Sequence, residues 1–326
     1  HRSIPCICDG LKPSQRKVLF SCFKRNLRKR VKVSQLSGYV SENSAYHHGE
    51  MSLNMTIVSL AQDFVGANNI NYLVPEAQFG TRILGGKDSA SPRYIWTYIN
   101  EIIWHIFDQK DTPLLEKQFE DTDEIEPQFY MPVIPMILVN GCEGIGTGFS
   151  TRLPKYNPLE IISNIKKILG GKKIKKITPW YRGFTGTIEK RDSKLFTVGK
   201  FKIVNDTTVE ITELPIGVWT NKYHEFLQTL IIDSANKKSK RKQILSNVKQ
   251  LSSDSSIHFI LKFPKKELAK LKKSGDLEKV LGLSESKSCG TTNIHLHNYD
   301  GMIKKYKNAE DILIEFINLR LKYYVL

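Results

Sequence analysis

The adjacent pair Arg93-Tyr94 combines a side chain that can attack phosphorus with a cation that can steady the phosphate under attack. A free phenol has a pKa of about 10, so a tyrosine needs assistance to act as a nucleophile at neutral pH. A guanidinium offers a fixed set of donors that suits phosphate oxygens and the charge developing on them. With 13 tyrosines in the chain, however, one Arg-Tyr pair is equally typical of a tyrosine packed in a core. The neighbouring residues must decide whether the pair is a phosphoryl-transfer site.

Three predicted helices precede the pair and would have to position it. Residues 14–29, 33–39 and 50–64 each place apolar side chains at helical spacing. A glycine-rich segment, Phe79–Lys87, then predicts a hairpin. Three helices, a basic turn and a hairpin together predict a winged helix-turn-helix domain.

The later part of the chain has different patterns. Residues 108–126 are acidic and predict a loop, and a second region begins near Pro132. Alternating polar and apolar residues with glycine turns over 178–214 predict a β-rich module. Near the C-terminus, spacings of four and three predict the first turns of a coiled coil, with the seam at Ile312, Phe316, Leu319, Tyr323 and Leu326. The fold class expected is α+β.

The charge indicates a polyanionic partner. The formal net charge is +16 and the pI is about 9.5. Between Leu11 and Ser41 there are nine Lys or Arg residues and no Asp or Glu. Two further basic stretches cover 166–176 and 237–242. This distribution is typical of nucleic-acid binding, although a lysine run is often only a solvated face.

The remaining composition indicates a reducing intracellular compartment. The five cysteines are scattered and odd in number, which does not suit a disulfide framework. Neither a membrane span nor a signal peptide is evident, so no membrane partner is expected. Since the first residue is His and not Met, we expect the chain to be a piece of a longer protein.

Several motifs occur in one order along nearly the whole chain. They are Arg2-Ser-Ile-Pro5, Asp9-Gly-Leu-Lys-Pro-Ser-Gln-Arg-Lys-Val18, Tyr46-His-His-Gly-Glu50, Phe79-Gly-Thr-Arg82, Gly86-Lys-Asp-Ser-Ala90, Ser91-Pro-Arg-Tyr94, Asn140-Gly-Cys-Glu-Gly-Ile-Gly-Thr-Gly148, Tyr181-Arg-Gly-Phe-Thr-Gly-Thr-Ile-Glu189 and Glu210-Ile-Thr-Glu-Leu-Pro215. In this order they resemble the eukaryotic-type DNA topoisomerases II. The Lys- and Ile-rich divergence suggests a large DNA virus, such as African swine fever virus, or a protist as the source.

The resemblance implies a division into domains and a catalytic cycle. Residues 1–130 would be a winged-helix cleavage domain, 131–300 a β-rich tower and 301–326 the truncated start of a coiled coil. A homodimer would cut double-stranded DNA through 5′-phosphotyrosyl links, pass a second duplex and reseal the break. Mg²⁺ and ATP would be bound by domains absent from this chain. The protein would work in the nucleus, or in a cytoplasmic viral factory if the source is viral.

The resemblance also implies site residues. Tyr94 would be the nucleophile, Arg93 would stabilise the transition state, and His48 and Arg2 would assist. The DNA contacts implied in the same way are Lys12, Arg16, Lys17, Tyr46, His47, Ser52, Lys287 and the intercalating wedge Ile145. Departures from the family pattern at Gln128-Phe129, Cys142 and Phe149 are changes of packing residues.

The glycine-rich segment 140–150 supports the wedge better than a nucleotide loop. It lacks the Lys-Ser/Thr of a phosphate-binding loop, and Gly80–Lys87 places Gly86 where that lysine is needed. An apolar side chain on a glycine-rich turn can unstack a base step for a few kcal/mol and gain contacts from the bend. The plain alternative is that Ile145 packs within its turn.

Three other functions compete with this interpretation. Asp121 and Asp123 could hold Mg²⁺, although an exposed acidic loop is the simpler explanation. His295-Leu296-His297 resembles the metal motif of HUH-type nicking endonucleases, but strand alternation gives the same spacing and no third ligand is evident. The chain could also be a non-catalytic winged-helix DNA-binding module, which would leave the Arg-Tyr and Gly-Ile-Gly motifs unexplained.

Overall fold

The computed structural model describes residues 2–231 and 243–326, which form a mixed α+β structure. The basic stretch 237–242 lies outside the described residues. The α-helices are α1 Pro13–Lys24, α2 Val33–Asn43, α3 Glu50–Ala61, α4 Glu101–Ile106, α5 Met136–Asn140, α6 Pro158–Leu169, α7 Thr220–Ile231, α8 Lys265–Ser274, α9 Leu277–Val280 and α10 Ala309–Val325. The strands are β1 Val31–Lys32, β2 Trp96–Thr97, β3 Gln118–Glu120, β4 Asp123–Ile125, β5 Cys142–Ile145, β6 Ser150–Leu153, β7 Thr187–Arg191, β8 Lys194–Val198, β9 Lys200–Asn205, β10 Thr208–Glu213, β11 Asn247–Gln250, β12 Phe259–Lys262, β13 Ser284–Glu285, β14 Ile294–His297 and β15 Ile303–Tyr306.

The first three helices pack against one another, as the winged-helix prediction requires. Helix α1 begins with Pro13 in its first turn, where a missing N–H costs nothing, and the Gln15 side chain accepts from the Lys12 amide at 2.9 Å. It ends at Lys24, five residues earlier than predicted. The physical reason is Asn26, whose φ of 51° lies in the left-handed region and breaks the helix.

The segment expected to form the hairpin of the winged helix is a loop. The predicted hairpin at Phe79–Lys87 forms turns and contains no strand. Strand β1 instead pairs with β2, and Glu76 forms a bridge with Trp96. Residues 77–95 are therefore a wide loop closed at its base by this pairing.

The acidic segment 108–126 is more ordered than a loop. A 3₁₀ helix covers Gln109–Leu114, and β3 and β4 form an antiparallel hairpin. Asp121 makes the turn between these strands with a φ of 53°. An aspartate tolerates that conformation because its short polar side chain can hydrogen-bond locally.

The β-rich module expected over 178–214 is confirmed and extends further along the chain. One sheet has the order β11-β12-β10-β9 and a second has β13-β8-β7. The larger sheet packs with α7 and α8 around a separate core that includes Val209, Phe259 and Leu268. In the described part of the chain, no helix is both long and apolar enough to cross a membrane.

The largest core runs across the expected domain boundaries. It joins the three N-terminal helices to α5, α6, the β14–β15 pair and α10. Side-chain packing therefore gives no break at residue 130, and the division at 130 and 300 stays a prediction.

Helix α10 confirms the predicted C-terminal helix. Its apolar face, however, packs against the core of the same chain. Ile312, Phe316, Leu319 and Tyr323 are buried in the largest core, whereas Leu326 is exposed. A stripe with a spacing of four and three can equally pack against a neighbouring core, and this one does.

Candidate DNA-cleavage site

The turn Ser91–Tyr94 presents its last two side chains to solvent. Tyr94 is 68% exposed and Arg93 is also exposed. The Tyr94 amide donates to the Ser91 carbonyl at 2.9 Å. The tyrosine hydroxyl is therefore accessible to a group outside the chain, which the alternative of a packed core tyrosine does not allow.

The backbone of this turn is held by the start of α2. The Ser34 amide donates to the Pro92 carbonyl at 3.1 Å, and the Val33 amide donates to the Ile95 carbonyl at 3.0 Å. Ile95 is fully buried, and strand β2 begins at the next residue. Because helix amides, a buried anchor and a strand fix the backbone, the position of Tyr94 does not depend on contacts of its own side chain.

The start of α3 is suited to an anion. Its N-cap Gly49 provides no side-chain cap, and the His48 and Ser52 side chains beside it are exposed. Open amides and the helix dipole favour a phosphate at such a position. The His48 ring packs edge-on against Tyr46 at 5.4 Å between centroids, which orients the imidazole.

His47 has a partner that the sequence did not suggest. Its Nε2 lies 2.7 Å from Oε1 of Glu120, at the end of β3. The two residues are 73 positions apart, so no local pattern could have paired them. A phosphate contact by His47 stays a prediction and would have to displace or share this carboxylate.

Arg16 and Lys17 are paired with acidic side chains inside the chain, and a DNA contact by either stays a prediction. The Arg16 guanidinium is buried and contacts the Asp9 carboxylate through Nε at 2.7 Å and Nη2 at 3.0 Å. The Lys17 ammonium bonds Glu126 at 2.9 Å and the Ser44 carbonyl at 2.5 Å. Both cations form ion pairs within the chain. Their acidic partners lie outside the acid-free stretch, so that stretch alone gives no sign of the pairing.

Tyr46 is likewise a core residue. Its side chain is only 8% exposed and belongs to the largest hydrophobic core. Its buried ring leaves little surface for DNA, and the expected DNA contact stays a prediction. The Tyr46 ring instead packs against the imidazole of His48.

The β5–β6 hairpin carries the predicted wedge. Ile145 is 81% exposed, so it does not pack within its turn. Beyond it, the Gly146 amide donates to the Phe149 carbonyl at 2.7 Å, and Gly148 has a φ of 83°. At Gly144 any side chain would collide with the backbone carbonyl of Ser3, which explains a glycine at that position.

Several cations surround the base of this hairpin. The Lys12 ammonium donates to the Glu143 carbonyl at 2.8 Å, and Arg152 is paired with the Glu143 carboxylate. Lys287 is exposed, and its carbonyl accepts from Arg152 at 3.4 Å. Arg2 is exposed beside Ser3, which contacts the hairpin. Lys12 and Arg152 thus contact the base of the hairpin, Arg152 also contacts the backbone of Lys287, and Arg2 adjoins a residue that contacts the hairpin. Sequence reasoning missed Arg152.

The four predicted catalytic residues are not linked by contacts within the chain. Among residues 2–231 and 243–326, no hydrogen bond or ion pair joins the side chains of Arg93 or Tyr94 to His48 or Arg2. Their convergence on one phosphate stays a prediction.

A buried ion pair ties the loop that carries Tyr94 to the β-rich module. Arg82 Nη2 lies 2.5 Å from Oε1 of Glu213, and both side chains are almost fully buried. Glu213 also accepts from the Thr185 amide and hydroxyl at 3.1 and 3.0 Å. The motifs containing these residues were noticed in the sequence, but nothing there indicated that they meet.

Neither alternative metal motif forms a metal site. Over the described residues, no group of three or more His, Cys, Asp or Glu side chains is placed to hold an ion. His295 Nδ1 lies 3.0 Å from the Ser150 carbonyl, and His297 Nδ1 lies 3.1 Å from the Gly301 carbonyl. The spacing of these histidines follows from β14, and the residues present do not fit Mg²⁺ by themselves.

The chain is similar to known proteins over nearly its whole length. The family model that describes the A subunit of DNA gyrase/topoisomerase IV matches residues 2–326. The DNA topoisomerase 2 of Bombyx mori is 47% identical over 324 residues, which are 99% of this chain and 20% of that protein. The DNA topoisomerase 2 of Arabidopsis thaliana is 47% identical over 328 residues, covering 99% of this chain and 22% of that protein.

A solved structure is similar over almost the whole chain. It is the DNA-binding, cleavage and re-ligation domain of Plasmodium falciparum topoisomerase II, with a TM-score of 0.95 and 46% identity. The match covers 99% of this chain and 43% of that one. This similarity confirms the predicted α+β architecture. The suggested viral source finds no support in these relatives, and the chain spans about a fifth of their full length.

Proposed function

Because the chain belongs to the family of DNA gyrase and topoisomerase IV A subunits, we propose that it is the DNA-binding and cleavage region of an ATP-dependent type II DNA topoisomerase. The observation that carries this proposal is the exposed Arg93-Tyr94 pair on a turn fixed by α2. The proposed substrate is double-stranded DNA, and the proposed working form is a homodimer. Residues 1–130, 131–300 and 301–326 would serve as cleavage domain, tower and start of the coiled coil.

The proposed reaction is a reversible phosphoryl transfer. The Tyr94 oxygen loses its proton and attacks a backbone phosphorus, forming a P–O bond to the tyrosine. The bond from phosphorus to the 3′-oxygen breaks, and that oxygen takes up a proton. The 5′-phosphotyrosyl link keeps the bond energy, so attack by the same 3′-hydroxyl can restore the strand. Two chains of a dimer would cut opposite strands and let a second duplex pass.

The neighbouring cations have distinct proposed roles. Arg93 donates to the phosphate oxygens as negative charge builds up in the transition state. His48 and Arg2 donate to the same phosphate from the start of α3 and from the N-terminal segment. Ile145 inserts between base pairs, while Lys12, Arg152 and Lys287 hold the backbone on either side of the hairpin.

Two cofactors belong to the proposed parent enzyme. The described residues do not fit a metal ion, so Mg²⁺ would be held by carboxylates elsewhere in that enzyme. ATP would bind another region and drive duplex passage. A nuclear location follows from the DNA substrate and from the eukaryotic relatives.

The proposed function and the non-catalytic alternative give different expected results once a metal-binding domain is added to the isolated chain. We expect the 326-residue chain to bind duplex DNA with a steep salt dependence, because each neutralised phosphate adds about 0.9 to the log–log slope. We expect no covalent adduct with Mg²⁺ until a separate metal-binding domain is supplied. A filter-binding salt titration and a denaturing gel would measure the two properties. A DNA binder without catalytic function would form no adduct even after that addition, whereas Mg²⁺-dependent cleavage by the chain alone would refute the proposed division of roles.

The wedge can be tested separately from cleavage. We expect Ile145→Ala to reduce DNA bending, because the shorter side chain cannot fill the gap between two base pairs. Energy transfer between dyes at the duplex ends would measure the bend. Leu159→Ala, which truncates an apolar residue of similar exposure away from the hairpin, is a control that should leave bending unchanged. Unchanged bending in Ile145→Ala would show that the residue is not a wedge.

A further inference from the structure

A cavity of about 380 Å³ lies at the base of the β5–β6 hairpin. Its lining includes Cys142 and Arg152 of the hairpin, together with Trp219, which follows β10, and Lys287, which follows β13. Lys155 lies in the same lining, just after β6. The cavity is therefore set between the hairpin that carries Ile145 and the loops of the β-rich module.

Of the three cations in this lining, only Arg152 has an ion-pair partner among the residues that the structure describes. Arg152 forms an ion pair with Glu143, and Oε1 of Glu285 accepts from the Lys287 amide at 2.8 Å. For the Lys155 ammonium, no hydrogen bond or ion pair occurs within residues 2–231 and 243–326. Three cations and two carboxylates line the space, so the lining carries a formal excess of one positive charge.

The environment of Lys155 disfavours an unpaired ammonium. Burial lowers the pKa of its amine, and the nearby Glu143 carboxylate offsets this only in part. The Cys142 thiol does not supply a counter-charge, because burial raises its pKa to about 11. A desolvated cation is costly unless an anion pairs with it.

We propose that this cavity is a binding site for a small anion, carboxylate or phosphate, with Lys155 as its principal ligand and Arg152 and Lys287 at the more exposed side. The volume suits a ligand of several heavy atoms better than a single ion. The anion is either a free metabolite or a phosphate of bound duplex. Binding of a free metabolite does not depend on the proposed topoisomerase function, whereas binding of a duplex phosphate rests on it.

Pyridoxal 5′-phosphate is a probe that tests both the anion site and its amine. The Lys155 nitrogen attacks the aldehyde carbon, water leaves, and borohydride delivers hydride to the resulting C=N bond to give a stable secondary amine. Peptide mapping of the full-length protein then gives the labelling rate of each lysine. We expect Lys155 to react on the order of tenfold faster than the exposed Lys172, the ratio that about 1.4 kcal/mol of phosphate docking would give.

Competition distinguishes the two sources of the anion. Inorganic phosphate should slow labelling of Lys155 and not of Lys172 if the site takes a free anion. Protection by duplex DNA but not by phosphate would assign the site to the DNA backbone. Equal labelling rates for the two lysines, or equal slowing of both, would overturn the proposal.

A second measurement avoids dependence on labelling chemistry. Inorganic phosphate should raise the melting temperature of the wild type, because a ligand that binds only the folded state stabilises it. Lys155→Gln should lose this increase, while Lys172→Gln should keep it. An increase that survives in a folded Lys155→Gln variant would also overturn the proposal.

Discussion

Tyr94→Phe in the full-length enzyme is expected to abolish the covalent protein–DNA adduct while duplex binding stays almost normal. The change removes one hydroxyl from an exposed ring, and the backbone of its turn is held by α2 through residues 92 and 95. Since the basic surface supplies most of the affinity for DNA, the dissociation constant should change little. A denaturing gel with end-labelled duplex would measure the adduct, and a filter-binding assay would measure affinity.

Two other tyrosines provide matched controls. Tyr98 is partly buried four residues further on, and Tyr46 lies in the core beside His48. Tyr98→Phe and Tyr46→Phe should both retain adduct formation, since neither hydroxyl is presented to solvent as Tyr94 is. Adduct remaining in Tyr94→Phe and lost in one of the controls would identify a different nucleophile.

Arg93→Ala is expected to lower the cleavage rate by a factor on the order of 10²–10³, the usual loss when one transition-state donor is removed. Affinity for duplex should fall only slightly, because one exposed cation among many is removed. Single-turnover cleavage at saturating DNA would isolate this effect from binding.

Arg30→Ala is the control for the lost charge. Arg30 is also exposed and directly precedes β1, and its guanidinium is 3.6 Å from Glu76. Its removal should weaken binding by a similar small amount without slowing cleavage at saturation. If Arg93→Ala reduced binding and cleavage equally, Arg93 would only position DNA.

The sequence predicted the parts of the structure that depend on local patterns. Apolar spacing located α2 and α3, and alternation over 178–214 located β7 to β10 of the β-rich module but not β11 to β13. The glycines around Ile145 predicted an exposed apolar side chain, and Ile145 is exposed. Each of these features follows from residues that are neighbours along the chain.

The features that sequence reasoning missed depend on distant partners. A basic residue in an acid-free stretch looks available for DNA, yet Arg16 is buried against Asp9 and Lys17 against Glu126. The same limit applies to His47, whose partner Glu120 lies on a hairpin that was expected to be a loop. Burial and ion pairing across the fold decide whether a cation faces solvent, and neither can be inferred from spacing.

The proposed nucleophile can be identified chemically in the wild-type enzyme. Full-length protein would be incubated with duplex DNA and Mg²⁺, denatured rapidly, digested with protease and nuclease, and the nucleotide-bearing peptide sequenced by mass spectrometry. We predict a single modified residue, Tyr94, linked to a 5′-phosphate, and a free 3′-hydroxyl on the cut strand. A nucleotide on any other residue, or a link to the 3′ end of the DNA, would contradict the proposed mechanism.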